Sequence, residues 1–193
     1  IDAGSETTEP QIDAGNETPD PETDAGNTVV ADTTPPETSL DSHPEALTNN
    51  PQATFTFSAN ESPATFQCSL NGATPALCTS PHSLTLSTDG EHSFSVYAVD
   101  EAGNADATAE SFSWTLDTTA PVTTIDSGPE ALTNQNEAVF EFFSDDANAT
   151  FECRLEGTDF ASCTSPQIYT LTLDGVYTFQ VRAADALDNL ESS

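Results

Sequence analysis

The chain reads as an all-β protein: two tandem β-sandwich domains preceded by an extended acidic N-terminal segment. Three observations predict this. Apolar and polar residues alternate with period two in short runs from Asp32 onward, and turn-forming pairs separate the runs. An 85-residue shift then lays Asp32–Thr108 on Asp117–Ser193 without a gap, with nearly half of the aligned positions identical. Alternation puts one face of a strand in a core and the other in water. About seven such strands in about 85 residues is the density of a sandwich, and a duplication of that length means two copies of one module. The expected boundaries are 1–31 for an acidic low-complexity tail or linker, 32–116 for the first sandwich and 117–193 for the second.

The tail carries Asp2, Glu6, Glu9, Asp13, Glu17, Asp20, Glu22 and Asp24, with no basic or aromatic residue. Asp-Ala-Gly recurs from Asp2, Asp13 and Asp24 with Pro, Thr and Asn between. Such a segment has too little apolar surface to offset its ordering entropy, and its like charges repel. It reads as a polar spacer.

In the first copy the inward residues are Phe55 and Phe57, then Phe66, Cys68 and Leu70, then Leu84 and Leu86, then Phe94, Val96 and Ala98. Phe112, Trp114 and Leu116 make a final strand. Asn71-Gly72, Ser80-Pro81, Asp89-Gly90 and Gly103-Asn104 supply the turns between them. No window keeps a helical period over three turns.

These residues carry a family resemblance. Thr65–Gly72, Cys78–Pro81 and Asp89–Asn104, with their counterparts around Phe151–Leu155, Cys163–Pro166 and Asp174–Asp185, resemble bacterial Ig-like repeats of large secreted and surface proteins. The resemblance covers about residues 32–193. It implies Ig-like or fibronectin-III-like sandwiches in a stalk, adhesin or matrix protein, and leaves the ligand open because such folds host many roles. Leu173–Tyr177 also resembles the tyrosine corner of fibronectin-type modules, whereas the first copy has His92 at that place.

Composition excludes several functions. The chain has 2 basic and 33 acidic side chains, a formal net charge of −31. Nothing in it could neutralise nucleic-acid phosphates or seek anionic lipid. Both basic residues are arginines, so lysine chemistry is absent. No apolar run is long enough for a membrane span.

Each copy holds two cysteines ten residues apart, Cys68 with Cys78 and Cys153 with Cys163. A local disulfide in each copy is the expected arrangement, which places the chain in an oxidising compartment, extracellular or at the cell surface. The zinc alternative lacks Cys-x-x-Cys spacing and neighbouring histidines. His43, His82 and His92 align with Gly128, Gln167 and Tyr177, so catalysis would belong to one copy only; they are expected in exposed loops or edges. No nucleophile elbow or phosphate loop is visible, and the chain is expected to be no enzyme. Arg154 and Arg182 are expected to pair with strand carboxylates such as Glu141 or Glu152.

In a sandwich of this topology, the first residues of a module lie beside the loop before its last strand. That would gather Asp32, Asp100, Glu101 and Asn104 at the head of copy one. It would likewise bring Asp117, Asp185, Asp188 and Asn189 to the junction, near Asp89 and Glu91. Calcium takes six to eight oxygen ligands of this kind, so these six residues are its candidate site, against a plain solvated acidic surface.

Copy two stops at Ser193 and has no counterpart of Ala109–Leu116. A sandwich without its last strand leaves an apolar groove and an open edge. Either the chain is cut from a longer repeat array, or the module tolerates the gap, or another subunit supplies the strand. For the last, the candidate is Asn27, Thr28, Val29, Val30 and Ala31: on the 85-residue shift Val29 takes the place of Trp114, and Ala31 that of Leu116. The function expected is a non-enzymatic stalk or fibre element of a bacterial surface. Its partners would be copies of itself or further Ig-like repeats. The alternatives are a self-assembling filament subunit and an adhesin binding a glycan or protein through end loops.

Overall fold

The computed structural model describes residues 31–192, and these are all-β. Asn27, Thr28, Val29 and Val30 lie outside the described residues; Ala31 opens them and is exposed. No helix among them is long and apolar enough to cross a membrane.

The first module contains β1 (Thr38–Ser42), β2 (Leu47–Thr48), β3 (Gln52–Ala59), β4 (Ala64–Leu70), β5 (Ala76–Cys78), β6 (His82–Thr85), β7 (Gly90–Asp100) and β8 (Glu110–Leu116). They form two sheets, β1-β3-β6 and β2-β8-β7-β4-β5. The opening segment serves both: β1 pairs antiparallel with β3, and beyond Pro44 β2 pairs parallel with β8. Period-two alternation aims Ala53, Phe55 and Phe57 of β3 and His92, Phe94, Val96 and Ala98 of β7 at each other across the sandwich. Trp114 and Leu116 of β8 close the core. Phe55 stacks on Phe94 at 4.0 Å between ring centroids and takes the Trp114 ring edge-on at 5.4 Å. Each such fully buried side chain stabilises by about 1.5–3 kcal/mol.

The second module repeats the plan with β9 (Thr123–Ser127), β10 (Glu137–Ser144), β11 (Thr150–Leu155), β12 (Ala161–Cys163), β13 (Gln167–Thr170) and β14 (Phe179–Ala184). Its sheets are β9-β10-β13 and β12-β11-β14. Matching registers, Phe66↔Cys78 and Phe151↔Cys163, mark the duplication at the level of single pairs. The turn after β4 puts Asn71 and Gly72 at φ 52° and 71°, and Glu156 and Gly157 follow at 50° and 70°. Asparagine and glycine accept that left-handed backbone readily; glutamate is kept there by its carboxylate, which accepts the Thr178 N–H at 3.0 Å.

Among the described residues, the second module has no counterpart of β2 or β8. The two losses have one cause. β2 finds its ladder only on β8, so Leu132-Thr133, aligned with it, is not in a strand. Likewise Gly90–Ser93 of β7 find ladder partners only in β8, and β14 correspondingly begins at Phe179 instead of Gly175.

Candidate functional site

Cys68–Cys78 and Cys153–Cys163 are bridged, with Cα atoms 5.9 and 5.7 Å apart, and no cysteine is free. Each bridge ties β4 to β5 or β11 to β12 on the sheet's outer strand pair. On the chain-entropy account a loop this short contributes about 2–3 kcal/mol.

At the junction of the modules, β8 runs into Asp117 and a short linker containing Pro121 before β9. The Thr118 and Thr119 hydroxyls donate to the two carboxylate oxygens of Asp89 at 2.8 and 2.6 Å. These bonds hold the Asp89 carboxyl below its usual range. From the first module, Asn49 donates its amide to the Leu187 carbonyl at 2.7 Å and to Asn189 Oδ1 at 3.2 Å. Asn189 in turn donates to the Asp117 carbonyl at 2.9 Å and to Asp185 at 2.8 Å. Asp185 is lowered because, although partial desolvation raises it, bonds from Asn189 and from the Leu187 N–H outweigh that.

Of the six proposed calcium ligands, the structure therefore links Asp117, Asp185 and Asn189 through one amide and sets Asp89 against threonines. Asp188 sits exposed in a turn at φ 62°, and Glu91 faces Thr115 across the sheet. Among the described residues no three carboxylate, histidine or cysteine groups converge as a metal cage.

The head of the first module is built alike. Asn104 donates to the Asp32 carbonyl at 3.0 Å and to Asp100 at 2.7 Å. An open acidic cleft lies beside it, lined by Asp32, Glu61, Pro63, Asp100, Glu101 and Ala102, and Glu61 Oε1 is buried there without a hydrogen-bond partner.

The histidines divide. His43 is exposed and stacks on Phe112 at 3.6 Å, and His82 is half-buried. His92 is not at an exposed edge, as expected, but buried at 6% exposure, its ring nitrogens satisfied by Asn71 at 3.1 Å and by the Thr88 carbonyl at 2.9 Å. The second contact corrects another expectation. Tyr177 donates its hydroxyl to the Leu173 carbonyl, four residues upstream, at 2.9 Å. His92 makes the equivalent bond in the first copy, so the corner is shared by different chemistry. Sequence comparison missed it because an imidazole and a phenol look unalike until both reach the same carbonyl.

Arg182 pairs with Glu152, its cross-strand neighbour, at 2.7 Å. Arg154 donates to Gln180 at 2.7 Å. Both guanidinium groups lie over the Phe160 ring, at 4.4 and 4.0 Å from its centroid. The only two basic side chains of the chain thus meet on one aromatic residue.

The largest departure between the copies is the open edge of the second module. Phe55, Leu86, Phe94 and Val96 are buried, whereas their counterparts Phe140, Leu171, Phe179 and Val181 are only half-buried. These are the positions that lose the cover of Trp114 and Leu116. Beside them Leu132, Leu173 and Val176 stand 94, 76 and 89% exposed. Where the first module has Thr88, Leu84, Glu91 and His92, the second has Leu173, Tyr169, Val176 and Tyr177. The open edge is therefore more apolar and bulkier than its closed twin.

No protein-family model and no curated protein sequence matches the chain. Among solved structures it is similar to the fibronectin(III)-like modules of Clostridium thermocellum CbhA, at 16% identity and a TM-score of 0.40, over 81% of this chain and 90% of that one. It is similar to a 1.5-MDa bacterial ice-binding adhesin at 12% identity and a TM-score of 0.43, over 82% of this chain and 62% of that one. It is also similar to latent PorU of Porphyromonas gingivalis, at 14% identity and a TM-score of 0.35, over 84% of this chain but 20% of that one. The chain thus spans less than two thirds of the latter two. Strand order and pairing among the described residues define a tandem of two Ig-like, fibronectin-type sandwiches.

Proposed function

We propose that this chain is a non-enzymatic extracellular structural element, a rigid spacer of a bacterial surface in which sandwiches are stacked end to end. The junction carries the reading. A short linker with a proline leaves few backbone states. Hydrogen bonds from both sides, Asn49 to Leu187 and Asn189 and Thr118 and Thr119 to Asp89, favour one inter-module arrangement. Two disulfides in so small a β protein accord with an oxidising compartment. The measurement is residual dipolar couplings in the two modules. The wild type is expected to fit one shared alignment tensor, and the double variant Asn49→Ala, Asp89→Ala to need two. Two independent tensors in the wild type would overturn the spacer role.

A second reading, an adhesin module, draws on the Arg154–Phe160–Arg182 stack. Planar guanidinium forks over an aromatic ring suit an anionic sugar or carboxylate. Glycan-array binding that disappears in Arg154→Ala would support it, and an array without binding would remove it.

A further inference from the structure

We infer that Asn148 is an acceptor for an N-linked glycan, transferred by a bacterial-type oligosaccharyltransferase from a polyprenyl-diphosphate oligosaccharide. The inference rests on the export that the disulfides indicate and is independent of the spacer role.

Three Asn-x-Ser/Thr triplets occur in the chain: Asn16-Glu-Thr18, Asn60-Glu-Ser62 and Asn148-Ala-Thr150. Such a triplet serves as an acceptor on an accessible surface loop of an exported chain. The bacterial form of the acceptor adds a carboxylate two residues ahead of the asparagine, which a cation of the enzyme reads through a charge-assisted pair. Asn148 has Asp146 at that place, whereas Asn16 has Ala14 and Asn60 has Ser58. One triplet of the three therefore carries the full pattern.

The structure leaves that triplet free. Asn148 lies exposed in the turn between β10 and β11, and its carboxamide makes no hydrogen bond among the described residues. The turn is held by its own atoms. Asp146 Oδ1 accepts the Asn148 N–H at 2.8 Å, and the Asp146 carbonyl accepts the Ala149 N–H at 3.2 Å. Neither bond reaches a neighbouring strand, so the turn can open into a transferase cleft while β10 and β11 keep their ladder partners. Thr150 is also exposed, and its hydroxyl makes only a long contact, 3.5 Å to the Ala184 carbonyl. A bond of that length is weak and readily exchanged for one to an enzyme.

Asn60 is committed elsewhere. Its Oδ1 accepts the Glu37 N–H at 2.9 Å and its own N–H donates to the Glu37 carbonyl at 3.1 Å. These bonds fasten the segment before β1 to the end of β3. Asp145, which aligns with Asn60, does the same for Val122: Oδ1 accepts the Val122 N–H at 2.8 Å, and the Asp145 N–H donates to the Val122 carbonyl at 3.2 Å. In the second copy, fastening and acceptor chemistry thus fall to different residues, Asp145 and Asn148. At the place of Asn148 the first copy has Pro63, which has no N–H to give. Glu61, aligned with Asp146, accordingly keeps a buried Oε1 without a partner. The acceptor belongs to the second module alone.

The transfer forms a bond between Asn148 Nδ2 and the anomeric carbon of the first sugar. The bond from that carbon to the diphosphate oxygen breaks, and its electron pair leaves with the diphosphate. One Nδ2 proton passes to a carboxylate of the transferase, and nothing is oxidised or reduced. A carboxamide nitrogen shares its lone pair with its carbonyl, so the enzyme has to grip and turn the group before it reacts. An asparagine whose oxygen already holds a backbone N–H, as Asn60 does, resists that turning. The glycan would stand where the module meets the linker, beside Val122, which is 58% exposed.

The test is transfer in vitro to the folded, disulfide-bonded full chain. The chain is incubated with a bacterial single-subunit oligosaccharyltransferase, its divalent metal and its polyprenyl-diphosphate oligosaccharide, then read by intact mass and peptide mapping. A single glycan on Asn148 is expected in the wild type and none in Asn148→Gln. Asp146→Asn keeps an oxygen for the Asn148 N–H but removes the charge, and should lower the transfer rate at least about tenfold, whereas Asp146→Glu should retain it. No glycan on the wild type, a glycan on Asn60, or transfer only after reduction and unfolding overturns the proposal. So does an Asp146→Asn rate equal to that of the wild type. Site mapping on the wild type needs no variant to fold. Free thiols in native material would remove the exported setting and leave the acceptor assay to stand by itself.

Discussion

Phe94 and Phe179 occupy equivalent places, yet the first is 1% exposed and the second only half-buried. The difference is Trp114, which has no counterpart among the described residues. Phe94→Ala is therefore expected to destabilise the first module by about 3–5 kcal/mol, the usual cost of emptying a core phenylalanine site. Phe179→Ala should cost distinctly less, because solvent already reaches the ring. Chemical denaturation followed by hydrogen exchange in each module measures both. Asp106 supplies a second residue-level test. Partial desolvation raises its carboxyl, but hydrogen bonds from Thr38 and Thr108 outweigh it and bring the pKa to about 2. The folded state thus binds this proton less tightly than the unfolded one. Its contribution is complete above the ordinary carboxylate range near pH 4 and disappears as pH falls towards about 2. Asp106→Asn should flatten the melting temperature of the first module over that window; an unchanged acid profile would refute the assignment.

At the scale of the elements, the turn before β7 and β14 shows two chemistries for one task. His92 and Tyr177 each reach the carbonyl four residues upstream, and each sits where its strand leaves the loop. The junction is another element-level device. Both oxygens of Asp89 accept threonine hydroxyls, and the Asp185 carboxylate is taken up by Asn189 and local N–H groups. Junction geometry is accordingly expected to persist in chelator. A melting temperature that rises steeply with millimolar calcium and falls with chelator would instead mean that the six acidic and amide residues act as ligands. The disulfides belong to this scale too, since each joins neighbouring strands within one sheet and leaves the core packing to the side chains.

At the scale of the whole molecule, a net charge of −31 on 193 residues makes copies repel one another. The repulsion keeps isolated chains soluble and opposes any end-to-end contact at low salt. Screening shortens its reach to about 8–10 Å near physiological ionic strength. Any self-association is thus expected to strengthen as salt rises from about 10 to 150 mM, the reverse of a contact between opposite charges. Light scattering over a salt series reads this directly, and association that weakens with salt would refute it.

Much of the architecture was legible in the sequence because its signals are local. Period-two runs such as Thr54–Ser58, the turn pair Asn71-Gly72 and the 85-residue repeat need only neighbours along the chain to be read. The cysteine pairing within each copy was legible for the same reason, from a separation of ten residues along the chain. The twin roles of His92 and Tyr177 were not, since they depend on a carbonyl brought close by a turn. Nor were the meeting of Arg154 and Arg182 over Phe160, or the four-way junction of Asn49, Leu187, Asn189 and Asp117. Those groups lie far apart in sequence or on different strands, and only folding sets the distances at which a hydrogen bond or a cation over a ring has any strength. Sequence alone therefore determined the module and its duplication, because alternation and repetition are properties of the chain. Tertiary structure alone decided which side chains are buried in one copy and half-buried in the other, because burial is a property of what packs against them.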